Sequence, residues 1–165
     1  MKKLLAPALF VFLFGILSTC SDQTDCCTNI FLDVQVELQN ADGADMLNPA
    51  TPGYINDHDI EMYYEIDGKL ETFVSINKGA ILDNPLGFAV QSDGTKNLLR
   101  VSSNPTEGNN VVTIIRIKDR PEIKLVTKVE DDHGRRITEL RYNDQLIWAN
   151  TMSSQQYPAV TVKFD

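Results

Sequence analysis

Two kinds of side chain in this 165-residue chain are suited to chemistry: thiols crowded near its start, and two histidines set among carboxylates. Cys20, Cys26 and Cys27 are the only cysteines. A thiol can act as a nucleophile, a metal ligand, a disulfide half or a point of lipid attachment. No cysteine follows Cys27, so no disulfide can span a fold built from the later residues. Cys26 and Cys27 can pair with each other only through a strained small ring. Two adjacent cysteines are also too few ligands for a zinc site, and the nearest histidine is His58. They read as free thiols on a flexible segment or as halves of an intermolecular bridge.

His58 lies in Asp57-His58-Asp59, with Glu61 just beyond and Asp42 and Asp45 upstream. Several carboxylate oxygens suit calcium. The spacing matches neither the EF-hand loop nor the glycine-rich calcium repeats, so a solvated acidic loop is the plainer expectation. The second run, Glu130-Asp131-Asp132-His133-Gly134, ends in glycine between two β-patterned segments and reads as a hairpin turn. A catalytic dyad there would need a second acid or nucleophile from elsewhere. The chain has no Gly-x-Ser-x-Gly elbow, no His-Glu-x-x-His helix and no phosphate loop. Paired carboxylates of the glycosidase type leave no spacing signature. A small carboxylate-dependent hydrolase therefore stands as the alternative to a non-enzymatic binding module. No catalytic residue, cofactor or metal is assigned. Trp148, the single tryptophan, reads as a core anchor alternating with Leu146, against a role as a sugar platform. Tyr54, Tyr63 and Tyr157 are the more exposed aromatic candidates for stacking or hydrogen bonding.

The elements that carry these residues divide at Cys20. Met1-Lys2-Lys3 is a positive n-region, and Leu4 to Leu17 is a 14-residue apolar run broken by one proline and one glycine. That length is short for a membrane span and right for the apolar region of a signal peptide. Removing residues 1–19 takes Lys2 and Lys3 with them and leaves 13 basic against 23 acidic residues, a net of −10. An acidic domain without a basic cluster disfavours nucleic acid and bare anionic headgroups as partners.

Leu17-Ser18-Thr19-Cys20 resembles the lipobox of bacterial lipoproteins, with leucine three residues before the cysteine. Thr19 departs from the usual glycine or alanine, a loosening similar to that in lipoproteins of Bacteroidota. The resemblance implies a diacylglyceryl thioether on Cys20, cleavage before it and acylation of the new amino terminus. Two or three acyl chains hold a protein stably where one does so marginally. Ser21-Asp22-Gln23-Thr24-Asp25 then resembles acidic surface-export signals, without their consecutive acids; a plain hydrophilic spacer fits equally. Residues 20–29 are expected to be a tether.

From Ile30 the pattern has period two. Leu32, Val34, Val36 and Leu38 alternate with polar residues, which predicts a half-buried strand. Asn40-Ala41-Asp42-Gly43 supplies a turn, and the prolines between Ala44 and Asp59 exclude a central strand. Ile60, Met62, Tyr64 and Ile66 alternate next, then Leu70, Thr72, Val74 and Ile76. Keeping both apolar sets on one face predicts a three-residue loop, Ile66-Asp67-Gly68, that pairs Glu65 with Lys69, Tyr64 with Leu70 and Met62 with Thr72. Further strands are expected at Phe88–Gln91, Asn97–Ser102, Val111–Lys118, Ile123–Val129, Arg136–Tyr142, Gln145–Ala149 and Ala159–Phe164. Gly79 to Leu86 is too interrupted for a helix.

Turn signals every 8 to 15 residues predict an all-β fold: an antiparallel β-sandwich, immunoglobulin-like or transthyretin-like, as a single domain over 30–165. The body also resembles a group of Bacteroidota lipoproteins, through Asp25-Cys26-Cys27-Thr28-Asn29, Met46-Leu47-Asn48-Pro49, Ile60-Glu61-Met62-Tyr63-Tyr64 with Asp67-Gly68-Lys69, and Tyr142-Asn143-Asp144-Gln145-Leu146-Ile147-Trp148. That resemblance implies the β architecture and the cell envelope and brings no site residues with it. The expected protein is a lipoprotein of the outer membrane, on its periplasmic face or the cell surface. It is held by the lipid on Cys20 and binds an envelope protein, a host protein or a glycan.

Overall fold

The computed structural model describes residues 32–76, 84–106, 108–131, 135–150 and 157–165. The leader, Cys20 and its tether, Cys26, Cys27, His133 with the rest of the 132–134 turn, and residues 79–83 of the Gly79–Leu86 segment lie outside them. The described residues form an all-β sandwich of two packed sheets. The smaller sheet has the order β10 (Ala159–Phe164), β1 (Asp33–Asn40), β5 (Asn97–Ser102), β4 (Phe88–Ser92). The larger has the order β3 (Lys69–Thr72), β2 (Ile60–Ile66), β6 (Gly108–Ile117), β7 (Ile123–Asp131), β8 (Arg135–Tyr142), β9 (Gln145–Ala149).

The alternation in β1 sets its place. Val34, Val36 and Leu38 are fully buried, while Gln35, Glu37 and Gln39 face out. Each such aliphatic side chain contributes about 1.5–3 kcal/mol of burial. They meet Met62, Tyr64, Ile115, Leu125 and Leu140 of the facing sheet in one core. Strand β10 shows the same pattern through Val160, Val162 and Phe164. It runs parallel to β1, with Gln35 opposite Ala159 and Asn40 opposite Phe164, so the sandwich is not wholly antiparallel as expected. A parallel neighbour needs a crossover, and the chain between β1 and β10 supplies it with eight strands.

A buried polar cluster ties the two layers together. The Tyr64 hydroxyl donates to the carbonyls of Ser102 (2.8 Å) and Ser103 (3.2 Å) at the end of β5. Ser103 Oγ lies 3.0 Å from Thr127 Oγ1 and 3.4 Å from Thr113 Oγ1, and Asn104 N donates to Thr113 Oγ1 at 2.9 Å. Each buried hydroxyl thus has a partner, which removes the cost of burying it. Burial, then the nearby Asp33 charge, pushes the Tyr64 phenol well above its ordinary value, so it stays protonated.

Three expectations of local structure are corrected. The β2–β3 hairpin pairs Ile66 with Lys69, Glu65 with Leu70, Tyr64 with Glu71 and Tyr63 with Thr72, so its loop is the two residues Asp67-Gly68. Both have positive φ, 52° and 74°, as a type I′ turn requires. No single apolar face is enforced here, because all four residues of β3 are exposed at the sheet edge. Strand β3 also ends at Thr72, and Phe73–Ile76 form a single helical turn. That turn buries Phe73, whose ring meets Tyr64 edge-on at 5.9 Å, and leaves Val74 exposed. Finally, Leu146 and Trp148 do not share a face. A bulge in β9 pairs Trp148 with the buried Leu140 but Leu146 with Arg141, so Trp148 packs against the core and Leu146 is 50% exposed.

Candidate functional site

The structure disperses the acidic constellation. Asn56 caps a single 3-10 turn, Asp57–Asp59, by accepting from His58 N at 2.9 Å, and no residue of that turn is buried. The His58 side chain is 89% exposed, with Asp57 3.9 Å away. Glu61 belongs to the outer face of β2, where its carboxylate accepts from the Tyr63 hydroxyl at 2.6 Å. Asp45 is engaged elsewhere. Its Oδ1 accepts from Leu47 N at 2.8 Å, and its Oδ2 accepts from Asn97 N (2.8 Å) and Asn97 Nδ2 (2.9 Å). Among the described residues, no three His, Cys, Asp or Glu side chains converge as a metal site. In the second run, Glu130 pairs with Lys128 on β7.

The aromatic candidates separate as well. Tyr63 is half-buried, with the Arg116 guanidinium 4.6 Å from its ring centre, so one face of the ring is occupied. The hydrogen bond to Glu61 holds its phenol above the ordinary value. Tyr157 is exposed where Pro158 O accepts from Gln35 N. Tyr54 is the candidate that lines a cleft.

That cleft, about 400 Å³, lies at one end of the sandwich. One wall is the proline-rich loop, through Gly53, Tyr54, Ile55 and Asp59; the other is the β6–β7 turn, Ile117 to Arg120. Local chemistry builds both. Gly53 takes φ +81°, a conformation open to glycine, and Tyr54 N closes the turn by donating to Thr51 O at 3.0 Å. Asp119 takes φ 59°, which aspartate tolerates, and Pro121 disfavours a helical continuation at Arg120. Lys118 N donates to Asp59 O at 3.0 Å and pins the two walls together. Ile55 is buried and its N–H donates to Met46 O at 2.8 Å, anchoring the loop to the core.

Arg120 is held by packing. Its guanidinium lies 5.5 Å from the Phe164 ring centre, and its Nη2 is 3.4 Å from where a Gly53 Cβ would stand. Among the described residues it has no carboxylate partner, whereas Arg100, Arg116 and Arg141 pair with Asp33, Glu122 and Glu139. Tyr54 and Asp59 are legible as candidates in the sequence. Lys118, Asp119 and Arg120 are not, because Arg120-Pro121 signals only a turn. The pairing of Ile60 with Ile117, which sets that turn beside the proline-rich loop, leaves no trace in the residue types.

A second, smaller groove of about 310 Å³ lies on the outer face of the larger sheet beside Asn109, Asn110 and Arg141. It holds no exposed aromatic residue. No helix among the described residues is long and apolar enough to cross a membrane. Comparison with protein-family models, with curated proteins and with solved structures gave no match to this chain.

Proposed function

We propose that this chain is a cell-envelope lipoprotein of the outer membrane, lipidated on Cys20, whose sandwich is a non-enzymatic binding module. Cys20 closes an apolar run that follows a basic n-region, the arrangement that signal-peptide processing and lipid attachment require. The observation that carries the binding role is the polarity of the sandwich. The tether joins β1 at Asp33, which pairs with Ser102 at one end of the fold. The cleft lies at the other end, where β1 finishes opposite Phe164 and Arg120 packs over that ring. Eight extended residues separate the two, about 25 Å at the strand repeat. A domain hung from its first strand thus has its loop-lined cleft at the end remote from the point of attachment. Loops on a rigid sandwich are the usual place for recognition.

The partner is another envelope component, a host protein or a glycan. The net charge of the processed chain, −10, argues against nucleic acid. The test is fractionation of cells that make the native chain or Cys20→Ala. The native protein is expected in the membrane pellet, extractable by detergent, with Cys20→Ala in the soluble fraction or unprocessed. Equal membrane retention of both would refute the anchor.

A further inference from the structure

The side chains lining the cleft specify a ligand chemistry. Lys118 and Arg120 offer only donors, and Asp59 and Asp119 offer only acceptors when ionised. Their charges balance, so the cleft selects no fixed ligand charge, and the acidic chain around it repels anionic polymers at long range. Groups that donate and accept at once, placed side by side, satisfy such a lining. Hydroxyls are such groups. Tyr54, 39% exposed, adds an aromatic surface with a polar tip. Arg120 adds a planar fork that Phe164 and Gly53 already hold in place, so less freedom is lost when it binds. The volume, about 400 Å³, is within the range of small-ligand pockets.

We propose that the cleft binds a neutral saccharide. A sugar ring stacks on Tyr54, Arg120 donates to its hydroxyl oxygens, and the carboxylates of Asp59 and Asp119 accept from its hydroxyl protons. This rests on the binding-module reading and names its ligand class. The second groove lacks the aromatic surface, and Tyr63 on the outer sheet has one face covered by Arg116.

The test uses the full chain purified in a sugar-free detergent on a printed array of neutral and acidic oligosaccharides. The best neutral binder is then titrated calorimetrically against the native protein, Tyr54→Ala, Arg120→Ala and Leu146→Ala, the last remote from the cleft. The expected result is binding of a neutral oligosaccharide, weakened about tenfold or more by Tyr54→Ala and by Arg120→Ala and unchanged by Leu146→Ala. Thermal melts accompany each variant. If Arg120→Ala loses its cooperative transition, Tyr54→Ala decides, since that side chain lies outside the core. Binding of acidic saccharides alone, binding of no array member, or native affinity in Tyr54→Ala would overturn the proposal. The same titration on Cys20→Ala separates the two claims, because loss of anchoring leaves the cleft intact.

Discussion

At the scale of single residues, several acids of this chain hold strands and turns together. Glu37 on the outer face of β1 accepts from Lys96 Nζ and Gln39 Nε2, each at 2.9 Å, and from Thr161 Oγ1 at 3.2 Å. It ties β10 and the β4–β5 turn to the strand between them. The Lys96 hydrogen bond is the main cause that holds its carboxyl below the ordinary glutamate value. A carboxyl lowered on folding stabilises the native state above its ordinary range, and that stability is lost as pH falls through the lowered value. Asp93, held at about 2 chiefly by the Thr95 hydroxyl and then by backbone N–H groups, follows the same sign. Glu37→Gln is therefore expected to melt below the native protein at neutral pH, with the gap closing as acid protonates Glu37. Melting curves across the acid range check this, and a gap that stays constant down to about pH 2 would contradict it. Asp45 shows why residue roles resist reading from sequence. Its partner Asn97 lies 52 positions away, and backbone donors leave no trace in residue types.

At the scale of elements, strands with one wet face and one buried face announce themselves. The alternation of β1 and β10, and the turn signals around β5 and β9, place those strands to within a residue of where they occur. The two register corrections share one cause. Strand β3 and part of β9 lie at sheet edges, where burial does not enforce a face, so the apolar pattern of Leu70 or Leu146 fixes no register. Positive φ at Asp67 and Gly68 decided the hairpin instead. The parallel β1–β10 pair was likewise invisible, because alternation does not encode strand direction. The join between the Phe73 turn and β4 gives an expected outcome. Gly87 takes φ +82°, and a Cβ there would overlap Met62 Cε and stand 2.6 Å from the Phe73 ring. Gly87→Ala is expected to cost about 1–3 kcal/mol, read as a lower denaturation midpoint in urea. An unchanged midpoint would show that the Phe73 turn does not pack on Gly87 as described.

At the scale of the whole molecule, the sandwich has two ends to which the proposal assigns different tasks. The chain enters beside Ser102, and the cleft opens beyond Ile117, with a core of continuous aliphatic packing between them. Two of the lining residues stand out in the proline-rich loop of the sequence, Tyr54 as a stacking candidate and Asp59 as a calcium candidate, but not as parts of one cleft. The other wall comes from the β6–β7 turn, which only the pairing of Ile60 with Ile117 brings alongside. The proposed anchor lies outside both walls of the cleft, at Cys20. An acidic sandwich has no electrostatic reason to remain on an anionic bilayer, so the proposed anchoring falls wholly to lipid on Cys20. Mass spectrometry of the N-terminal peptide of the mature protein, isolated from membranes of the organism that makes it, tests this most directly. The account predicts a peptide that begins at Cys20, carries a diacylglyceryl thioether on its sulfur and is acylated at its amino group. A mature peptide that begins elsewhere, or an unmodified Cys20 in membrane-bound protein, would contradict it.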